Sequence, residues 1–261
     1  MSFRPKKRLG QNFLVDETLR DQVLEAARIA PHDEVLEIGA GPGTLTDRLA
    51  EMSKRMVAVE LDARLARELR RRYAGRANVE VVEADILELD LATVFPEGGE
   101  VVVGNIPYYL TGALLPLLLD RPPRPKRISL VVQREVAERW TAATGASVAT
   151  LAVQLFTEPR LEFRLPAGAF DPPPKVESAL VVMEVRKRPA IELDDPQAFL
   201  RFAERLFQFR RKQLGSSLPR VMDRPATEVA PILESASIDA TRRAETLTLG
   251  EWARLFRTAR P

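Results

Sequence analysis

Short apolar runs and amphipathic segments alternate along the first half of the chain. Runs rich in Val, Ile and Leu and bounded by turn-forming residues predict strands, at 34–39, 55–61, 78–85, 100–106 and 127–133. Segments with helical periodicity or high leucine content predict helices before and between them, at 17–30 behind Asp16 as N-cap and at 45–52, 63–73 and 112–119. This alternation predicts an α/β fold, a parallel sheet with helices on both faces.

The second half of the chain predicts a change of architecture. A helix is expected near 148–156, and "RLEFRL" (160–165) and "ALVVMEVR" (179–186) predict added edge strands, at least one of them antiparallel. The polar, proline-containing segment 186–196 predicts a domain boundary. We therefore divide the chain into domains 1–187 and 188–261, the second small and all-helical, with helices over 198–214 and 245–256.

Composition narrows the chemistry that the chain can perform. The 261 residues include no cysteine, and His32 is the only histidine. Disulfides, Cys/His zinc sites and a Cys nucleophile are thereby excluded, and a Ser-His triad would have to use His32. The basic N-terminus lacks the apolar stretch of a signal peptide, and "GALLPLLL" (112–119) is too short to span a bilayer. We expect a cytoplasmic protein.

Positive charge is clustered although the net charge is only +2. Local basic clusters on a nearly neutral protein favour a polyanionic partner such as nucleic acid. Solvated surface charge is the alternative explanation for any one cluster. The clusters are Arg4 with Lys6, Lys7 and Arg8; Arg121 with Arg124, Lys126 and Arg127; and Arg210 with Arg211 and Lys212.

A glycine-rich turn follows the first predicted strand of the sheet. In "LEIGAGPGTLT" (36–46), Gly39, Gly41 and Gly43 allow a ligand close to the backbone, and a helix starting near Pro42 or Thr44 would offer free N–H groups. The dinucleotide fingerprint requires G-x-G-x-x-G, but its third glycine is Thr44 here. This difference weakens a nicotinamide interpretation.

Polar side chains end the next three predicted strands. Glu60, Asp85 and Asn105 stand at successive strand ends, and carboxyl ends of parallel strands form the usual ligand crevice of such sheets. A carboxylate at Glu60 suits ribose hydroxyls. Each acid alone could instead cap the helix that follows it.

Five further motifs make the chain resemble a known family. "NIPYY" (105–109) is similar to the Asn/Asp-Pro-Pro-Tyr motif of amino methyltransferases. With "KKRLGQNFL" (6–14), "VVQREVAERW" (131–140), "FDPPPKVESAL" (170–180) and "FQFRRKQL" (207–214), it resembles the ribosomal RNA small-subunit adenine dimethyltransferase family from about residue 6 to the end. Ile106 replaces the more usual Leu, a swap that conserves volume. The resemblance implies a Rossmann-like doubly wound methyltransferase sheet with a small all-helical C-terminal domain.

The resemblance also implies a reaction and its catalytic residues. Bacterial members methylate two adjacent adenines in a hairpin loop near the 3′ end of small-subunit rRNA. Asn105 and the Ile106 carbonyl would hold the adenine amine, Pro107 would fix the turn, Tyr108 would stack on the flipped base, and Phe170 would form a second aromatic wall. The predicted catalytic residues are Asn105, Pro107, Tyr108 and Phe170.

By the same resemblance, S-adenosylmethionine is the cofactor and no metal is needed. Its amino-acid end would lie at Asn12 and Leu14, its ribose at Glu60 and its adenine at Asp85 and Ile86. The complete predicted cofactor site is Asn12, Leu14, Gly39, Gly41, Glu60, Asp85, Ile86 and Asn105.

The expected partner is small-subunit rRNA, in the small ribosomal subunit or its precursor, bound by a monomer without a membrane. Its phosphates would contact Lys6, Lys7, Arg8, Arg210, Arg211 and Lys212. Two alternatives stay open. One is an adenine methylase of large-subunit rRNA, which shares most of these motifs; the other is a ribosome-assembly factor that uses the fold mainly for binding.

Overall fold

A seven-stranded sheet organises the N-terminal part of the computed structural model, which describes residues 6, 9–119, 122–145 and 147–259. Its strands, in spatial order, are β4 (Val79–Glu83), β3 (Arg55–Glu60), β2 (Glu34–Ile38), β5 (Val101–Asn105), β6 (Arg127–Gln133), β9 (Ser178–Val185) and β7 (Thr157–Leu165). The first five are parallel, and β9 runs antiparallel to β6. The predicted parallel α/β sheet is confirmed.

The central strands are apolar on both faces because helices cover both sides of a parallel sheet. In β2, β3 and β5 the residues Val35, Leu36, Val57 and Val102 have no exposed surface. The helices in this part of the chain are α1 (Glu17–Ala27), α2 (Thr46–Met52), α3 (Ala63–Tyr73), α4 (Leu91–Val94), α5 (Thr111–Leu119) and α6 (Arg134–Thr141).

Helix α1 begins where the sequence predicted it. The side chain of Asp16 accepts a hydrogen bond from the backbone N–H of Leu19, as an N-cap does. Val23, Leu24 and Ala27 form its buried face. The helix ends at Ala27, earlier than the predicted residue 30, because Arg28 adopts the left-handed conformation (φ 49°) and closes the last turn.

Two predictions about the sheet and the glycine-rich turn are wrong. The run 179–186 was expected at a sheet edge, but β9 lies between β6 and β7, so only β7 forms that edge. The helix after the glycine-rich turn begins at Thr46, and residues 41–45 form turns. Burial on both faces explains the unbroken apolar run of β9.

Two strands of two residues each pair the N-terminal arm, residues 9–14, with the start of the "FDPPPKVESAL" motif at residue 170. Strand β1 (Phe13–Leu14) pairs antiparallel with β8 (Phe170–Asp171), and Leu14 stands opposite Phe170. The backbone N–H of Val15 adds a bond of 2.8 Å to the carbonyl of Ala169. Pairs this short have no periodicity that sequence could reveal.

The chain forms two compact units, Met1–Glu138 with Pro159–Val185, and Arg139–Glu158 with Arg186–Pro261. The last boundary between the units lies between Val185 and Arg186, two residues before the predicted division at 187/188. The segment Arg139–Glu158, which lies within the predicted first domain, belongs to the second unit. That segment contains α7 (Val148–Phe156).

The second unit is helical and has its own aromatic core. It contains α7, α8 (Pro196–Phe207), α9 (Leu214–Met222), α10 (Ala226–Ser235) and α11 (Leu249–Ala259). The ring centroids of Phe199 and Phe256 lie 5.6 Å apart, edge to face, and those of Phe207 and Trp252 lie 5.3 Å apart. The predicted helix over 198–214 is wrong in extent, because α8 ends at Phe207 and turns follow.

Neither membrane nor metal features stand out in the described ranges. Among those residues, no helix is long and apolar enough to cross a membrane. No group of three or more His, Cys, Asp and Glu side chains there is placed to hold a metal ion.

Close packing between β5 and β2 predicts a large effect for a small substitution. A Cβ at Gly104 would lie 2.8 Å from the Ile38 carbonyl oxygen and 3.0 Å from Ile106 Cγ2. Gly104→Ala should lower the free energy of unfolding in urea by about 1–3 kcal/mol, since an overpacked core must distort. The control is Gly112→Ala in α5, where a Cβ meets nothing within 4 Å and helix propensity favours alanine. Equal stability of Gly104→Ala and the parent would contradict the packing argument.

Candidate active site

One cavity of about 920 Å³, a volume that includes its mouth open to solvent, lies at the carboxyl ends of the parallel strands. Gly39 follows β2, Glu60 ends β3, Asp85 follows β4 and Asn105 ends β5, and all four line the cavity. The strand order β4-β3-β2-β5 explains why residues up to 66 positions apart in sequence meet there.

The N–H groups of the three glycines in the glycine-rich turn are already hydrogen-bonded. They bond within the protein: Gly39 to the Val59 carbonyl at 2.9 Å, Gly41 to Glu60 Oε2 at 2.8 Å, and Gly43 to the Ala40 carbonyl at 3.0 Å. These three amides are therefore not the free N–H groups of a helix start. The positive φ of Gly39 (74°) and Gly41 (59°) is what requires glycine. The turn contributes shape and close backbone approach.

Glu60 is the buried anchor of the cavity floor. Its Oε2 accepts the Gly41 N–H, and its Oε1 accepts the N–H of Asp62 at 2.7 Å. The side chain is 6% exposed, and burial raises its pKa above the ordinary value for Glu. A carboxylate has about four lone-pair sites, so acceptor capacity remains for a ligand hydroxyl.

Glu37 is a cavity residue that sequence reasoning missed. It lies in the middle of β2, lines the cavity and is 1% exposed. Thr46 Oγ1 donates to its Oε2 at 2.7 Å. Burial raises the pKa of Glu37 to about 8, and the nearby carboxylates of Glu60 and Asp47 add to the rise. A charged residue between Leu36 and Ile38, in the apolar part of β2, was the signal that could have identified it.

The N-terminal arm, residues 9–14, forms one wall of the cavity. The predicted cofactor residues Asn12 and Leu14 lie in it, Leu14 only 2% exposed. A Cβ at Gly10 would lie 3.6 Å from Pro107 Cβ and 3.8 Å from the Tyr109 ring, so the arm approaches the "NIPYY" loop closely. The N-terminal arm therefore lies next to the "NIPYY" loop.

Lys6, which precedes this arm in the sequence, pairs with Asp62, the N-cap residue of α3. Its Nζ lies 3.0 Å from Asp62 Oδ1, and the side chain of Asp62 is fully buried. Hydrogen bonds from Arg64 and then Lys6 hold the pKa of Asp62 well below its usual range. Lys6, predicted to contact phosphate, is therefore engaged with a carboxylate in this structure. The predicted phosphate contacts Lys7 and Arg8 lie outside the described residues.

The side chain of Asn105 is oriented by the arm. Its Nδ2 donates to the backbone carbonyl of Asn12 at 2.8 Å. Because the amide nitrogen is engaged there, the acceptor Oδ1 is directed away from Asn12. Asn105 is half-buried and lines the cavity.

Pro107 and Tyr108 also line the cavity, and Tyr108 is held at both ends. Its hydroxyl lies 2.9 Å from Ser178 Oγ, within hydrogen-bond distance. Its backbone carbonyl accepts a bond from Thr111 Oγ1 at 2.8 Å. Burial raises the pKa of Tyr108, so the phenol is neutral at ordinary pH.

Phe170, predicted as a second aromatic wall for the base, is not among the residues that line this cavity. The ring is 4% exposed and belongs to the hydrophobic core with Leu14, Leu165 and Ala169. Its backbone pairs with that of Leu14. Phe170 therefore contacts the N-terminal arm in two ways: its side chain shares a hydrophobic core with Leu14, and its backbone forms a two-residue strand pair with the arm.

Asp85 and Ile86 line the end of the cavity beside β4. Asp85 Oδ1 accepts the N–H of Leu87 at 3.0 Å and so caps the turn that follows, which leaves Oδ2 for another donor. Ile86 is 3% exposed and presents an apolar surface. This end can accept a flat, polar-edged group.

The remaining predicted RNA contacts lie in the second unit. Arg210, Arg211 and Lys212 occupy the turn between α8 and α9, and all three are exposed. In the parts of the chain that the structure describes, none of the three forms an ion pair with an acidic side chain. Their charge is available to an external anion.

Together, the doubly wound sheet and a cavity at its carboxyl edge define a Rossmann-like methyltransferase fold. Solved structures share this fold. The crystal structure of the 23S rRNA methyltransferase ErmE superposes with a TM-score of 0.73 at 29% identity, over 96% of this chain and 100% of that one. A dimethyladenosine transferase from Plasmodium falciparum superposes with a TM-score of 0.77 at 25% identity, over 95% and 98%.

Sequence comparison specifies the family. Residues 2–258 match the family described as "Ribosomal RNA adenine dimethylase", and the chain belongs to it. Its relatives include "Ribosomal RNA small subunit methyltransferase A" of Pelotomaculum thermopropionicum, 40% identical over 95% of this chain and 89% of the relative. The protein of the same name from Acidobacterium capsulatum is 38% identical over 99% and 92%.

The raised pKa of Glu37 predicts a pH-dependent stability. Between about pH 5 and pH 8 the folded protein retains a proton that the unfolded chain releases, because the pKa is about 8 when folded and ordinarily 4.5. The free energy of unfolding should therefore fall as pH rises, by at most about 1.4 kcal/mol per pH unit. Glu37→Gln should remove this fall in urea titrations without cofactor.

A matched control lies on the same strand. Glu34 is half-buried and pairs with Arg55 at 3.0 Å, so Glu34→Gln should keep the pH slope of the parent. Identical slopes for Glu37→Gln and the parent would show that Glu37 titrates normally.

Proposed function

We propose that this protein transfers methyl groups from S-adenosylmethionine to the N6 amines of two adjacent adenines in a 3′-terminal hairpin loop of small-subunit (16S) rRNA, giving dimethyladenosines. Family membership supports the reaction class. The names of its relatives support the small subunit over the large one. The observation that carries the proposal is the orientation of Asn105 at the cavity. Its amide nitrogen bonds the Asn12 carbonyl, so its side-chain oxygen would be left to accept a hydrogen bond from the adenine amine.

The donors and acceptors of the cavity suit S-adenosylmethionine. Glu60 retains lone pairs for the ribose hydroxyls, and Asp85 with Ile86 suits the adenine. The backbone at Gly39 and Gly41 allows close approach, and Asn12 and Leu14 would border the amino-acid end. When bound, S-adenosylmethionine supplies a methyl group on a positively charged sulfonium. A cation bound beside the buried carboxyls of Glu37 and Glu60, whose pKa values burial raises, would favour their ionised forms.

The reaction depends on presenting a weak nucleophile in the right geometry. The lone pair of the adenine amine is delocalised into the ring. Asn105 Oδ1 and the Ile106 carbonyl would accept the amine hydrogens and turn the lone pair toward the methyl group. Correct alignment of reactants can lower a barrier by about 7–11 kcal/mol, so no strong base is needed. The amine releases its proton to water once it is alkylated.

Tyr108 and the N-terminal arm complete the pocket. The Tyr108 ring would stack on the flipped adenine, an interaction of about 1–3 kcal/mol per base. Pro107 lacks an N–H that could compete for the base and stiffens the turn. Residues 9–14 cover one side of the cavity and would keep water away from the reacting atoms.

We assign RNA binding to two groups of basic residues. Arg210, Arg211 and Lys212 of the helical part 188–261, with Lys7 and Arg8 ahead of the arm, would contact rRNA phosphates as part of a monomer. Such contacts fix position and not sequence. Lys6 would exchange Asp62 for phosphate only if the arm moves, since its ammonium is paired.

The direct test is mass spectrometry of rRNA nucleosides. Purified protein, labelled S-adenosylmethionine and undermethylated small subunits should yield labelled N6,N6-dimethyladenosine, and large subunits serve as the control substrate. Label in large-subunit rRNA would favour the alternative methylase. Tight subunit binding without label would favour a pure assembly role.

Asn105→Ala should separate chemistry from binding. Loss of the oriented acceptor should lower methyl transfer roughly ten- to a hundredfold, the scale of about 1.5–3 kcal/mol for a strong hydrogen bond. Affinity for the small subunit should hardly change, because no basic residue is altered. Asn78→Ala is the control, since Asn78 bonds the Ala50 carbonyl at 2.8 Å and does not line the cavity. Loss of subunit binding by Asn105→Ala would contradict this division.

Reversing Arg211 and Lys212 to Glu should produce the opposite pattern. Subunit binding should weaken, and the slope of log affinity against log salt should fall by about one per lost phosphate contact. Near-saturating substrate should restore much of the turnover. Lys187 and Arg188 are also exposed, and reversing them changes net charge equally. Filter binding at several salt concentrations should show a smaller effect for this control; an unaltered slope for the first pair would remove it from the RNA surface.

A further inference from the structure

We propose that Ser178 is a positioning residue for methyl transfer, one that acts through Tyr108 by fixing the plane of its ring. The inference rests on the proposed function, in which the Tyr108 ring receives the target adenine. It assigns a role to the last polar residue of the "FDPPPKVES" motif.

The contact joins the two hydroxyls directly. Tyr108 Oη and Ser178 Oγ lie 2.9 Å apart, and Ser178 has no exposed surface. A buried hydroxyl that lacks a partner is unfavourable, so this bond favours one position of the ring. Tyr108 itself is half-buried and lines the cavity, so a change in its tilt changes the surface offered to a base.

Ser178 is itself held firmly in place. It is the first residue of β9 and stands opposite Gln133 in the antiparallel pair with β6. Directly before it, the Glu177 carbonyl accepts the N–H of Arg134 at 2.9 Å, and the Glu177 carboxylate pairs with the Arg134 guanidinium at 2.7 Å. The hydroxyl of Ser178 is thus presented by the rigid sheet.

Tyr108 needs such a contact because its backbone alone does not set the ring. Its short 3-10 turn, Tyr108–Leu110, is closed by the bond from the Leu110 N–H to the Pro107 carbonyl at 3.0 Å. Two side-chain torsions remain, and a bond at the far end of the ring restricts both. The next residue, Tyr109, is 57% exposed, which shows that the turn does not bury every ring that it carries.

The two ends of the motif support opposite sides of the cavity. At one end, Phe170 pairs with Leu14 and holds the N-terminal arm. At the other end, Ser178 bonds Tyr108 of the "NIPYY" loop. The arm and the loop also meet each other through Asn12 and Asn105. The segment 170–178 therefore contacts both the N-terminal arm, beside the proposed cofactor, and the "NIPYY" loop that would receive the base.

The test compares Ser178→Ala, Tyr108→Phe and the double variant. Each single change removes the same hydrogen bond and keeps the ring, so each should lower the single-turnover rate of methyl transfer about two- to tenfold, or roughly 0.4–1.4 kcal/mol. The double variant should be no slower than either single one, since the bond is lost only once. Affinity for S-adenosylmethionine, measured by calorimetry, should be unchanged.

Ser129→Ala is the matched control. Ser129 is a fully buried serine of the neighbouring strand β6, and within the described residues its hydroxyl has no hydrogen-bond partner. Removing the Ser129 hydroxyl should leave the rate of methyl transfer unchanged. Thermal unfolding of every variant shows whether a lower rate reflects lower stability. A Ser178→Ala rate equal to that of Ser129→Ala, or strictly additive losses in the double variant, would overturn the inference. Failure of the proposed function is distinguishable, because the parent protein would then show no methyl transfer.

Discussion

The site depends on one buried carboxylate. Glu60 binds the N–H of Gly41 with one oxygen and the N–H of Asp62 with the other, so a single side chain joins the glycine-rich turn to the start of α3. Asp62 in turn pairs with Lys6, which precedes the arm in the sequence. Floor, turn and arm are therefore connected through charge-assisted hydrogen bonds, which are among the strongest that a protein makes.

Burying Glu60 and Glu37 together under the cavity disfavours their charged forms. Burial raises the pKa of both, and the carboxylate of Glu60 adds to the rise at Glu37. A bound cation relieves this, so the electrostatics of the fold and the charge of the proposed cofactor are complementary. Stability given up at a site in exchange for ligand recognition is a common feature of functional centres.

The site residues are also coupled across the cavity by bonds between distant segments. Asn105 and Asn12 are 93 positions apart, and Tyr108 and Ser178 are 70 apart, yet each pair bonds directly. As a result, the orientation of the amide oxygen and of the ring depends on the arm and on β9. The chemistry of the "NIPYY" loop is a property of three segments and not of the motif alone.

Periodicity and turn chemistry by themselves determined the parallel strands, α1 with its Asp16 cap, and the strand-end residues Gly39, Glu60, Asp85 and Asn105, because these features depend on local patterns and strand polarity. Sequence did not reveal the internal place of β9, the pairing of Leu14 with Phe170, or the turn that carries Arg210 to Lys212. Nor did it reveal that Glu37 lines the cavity or that Phe170 packs in the hydrophobic core. Those outcomes were decided by tertiary structure, since burial and pairing depend on which distant segments become neighbours.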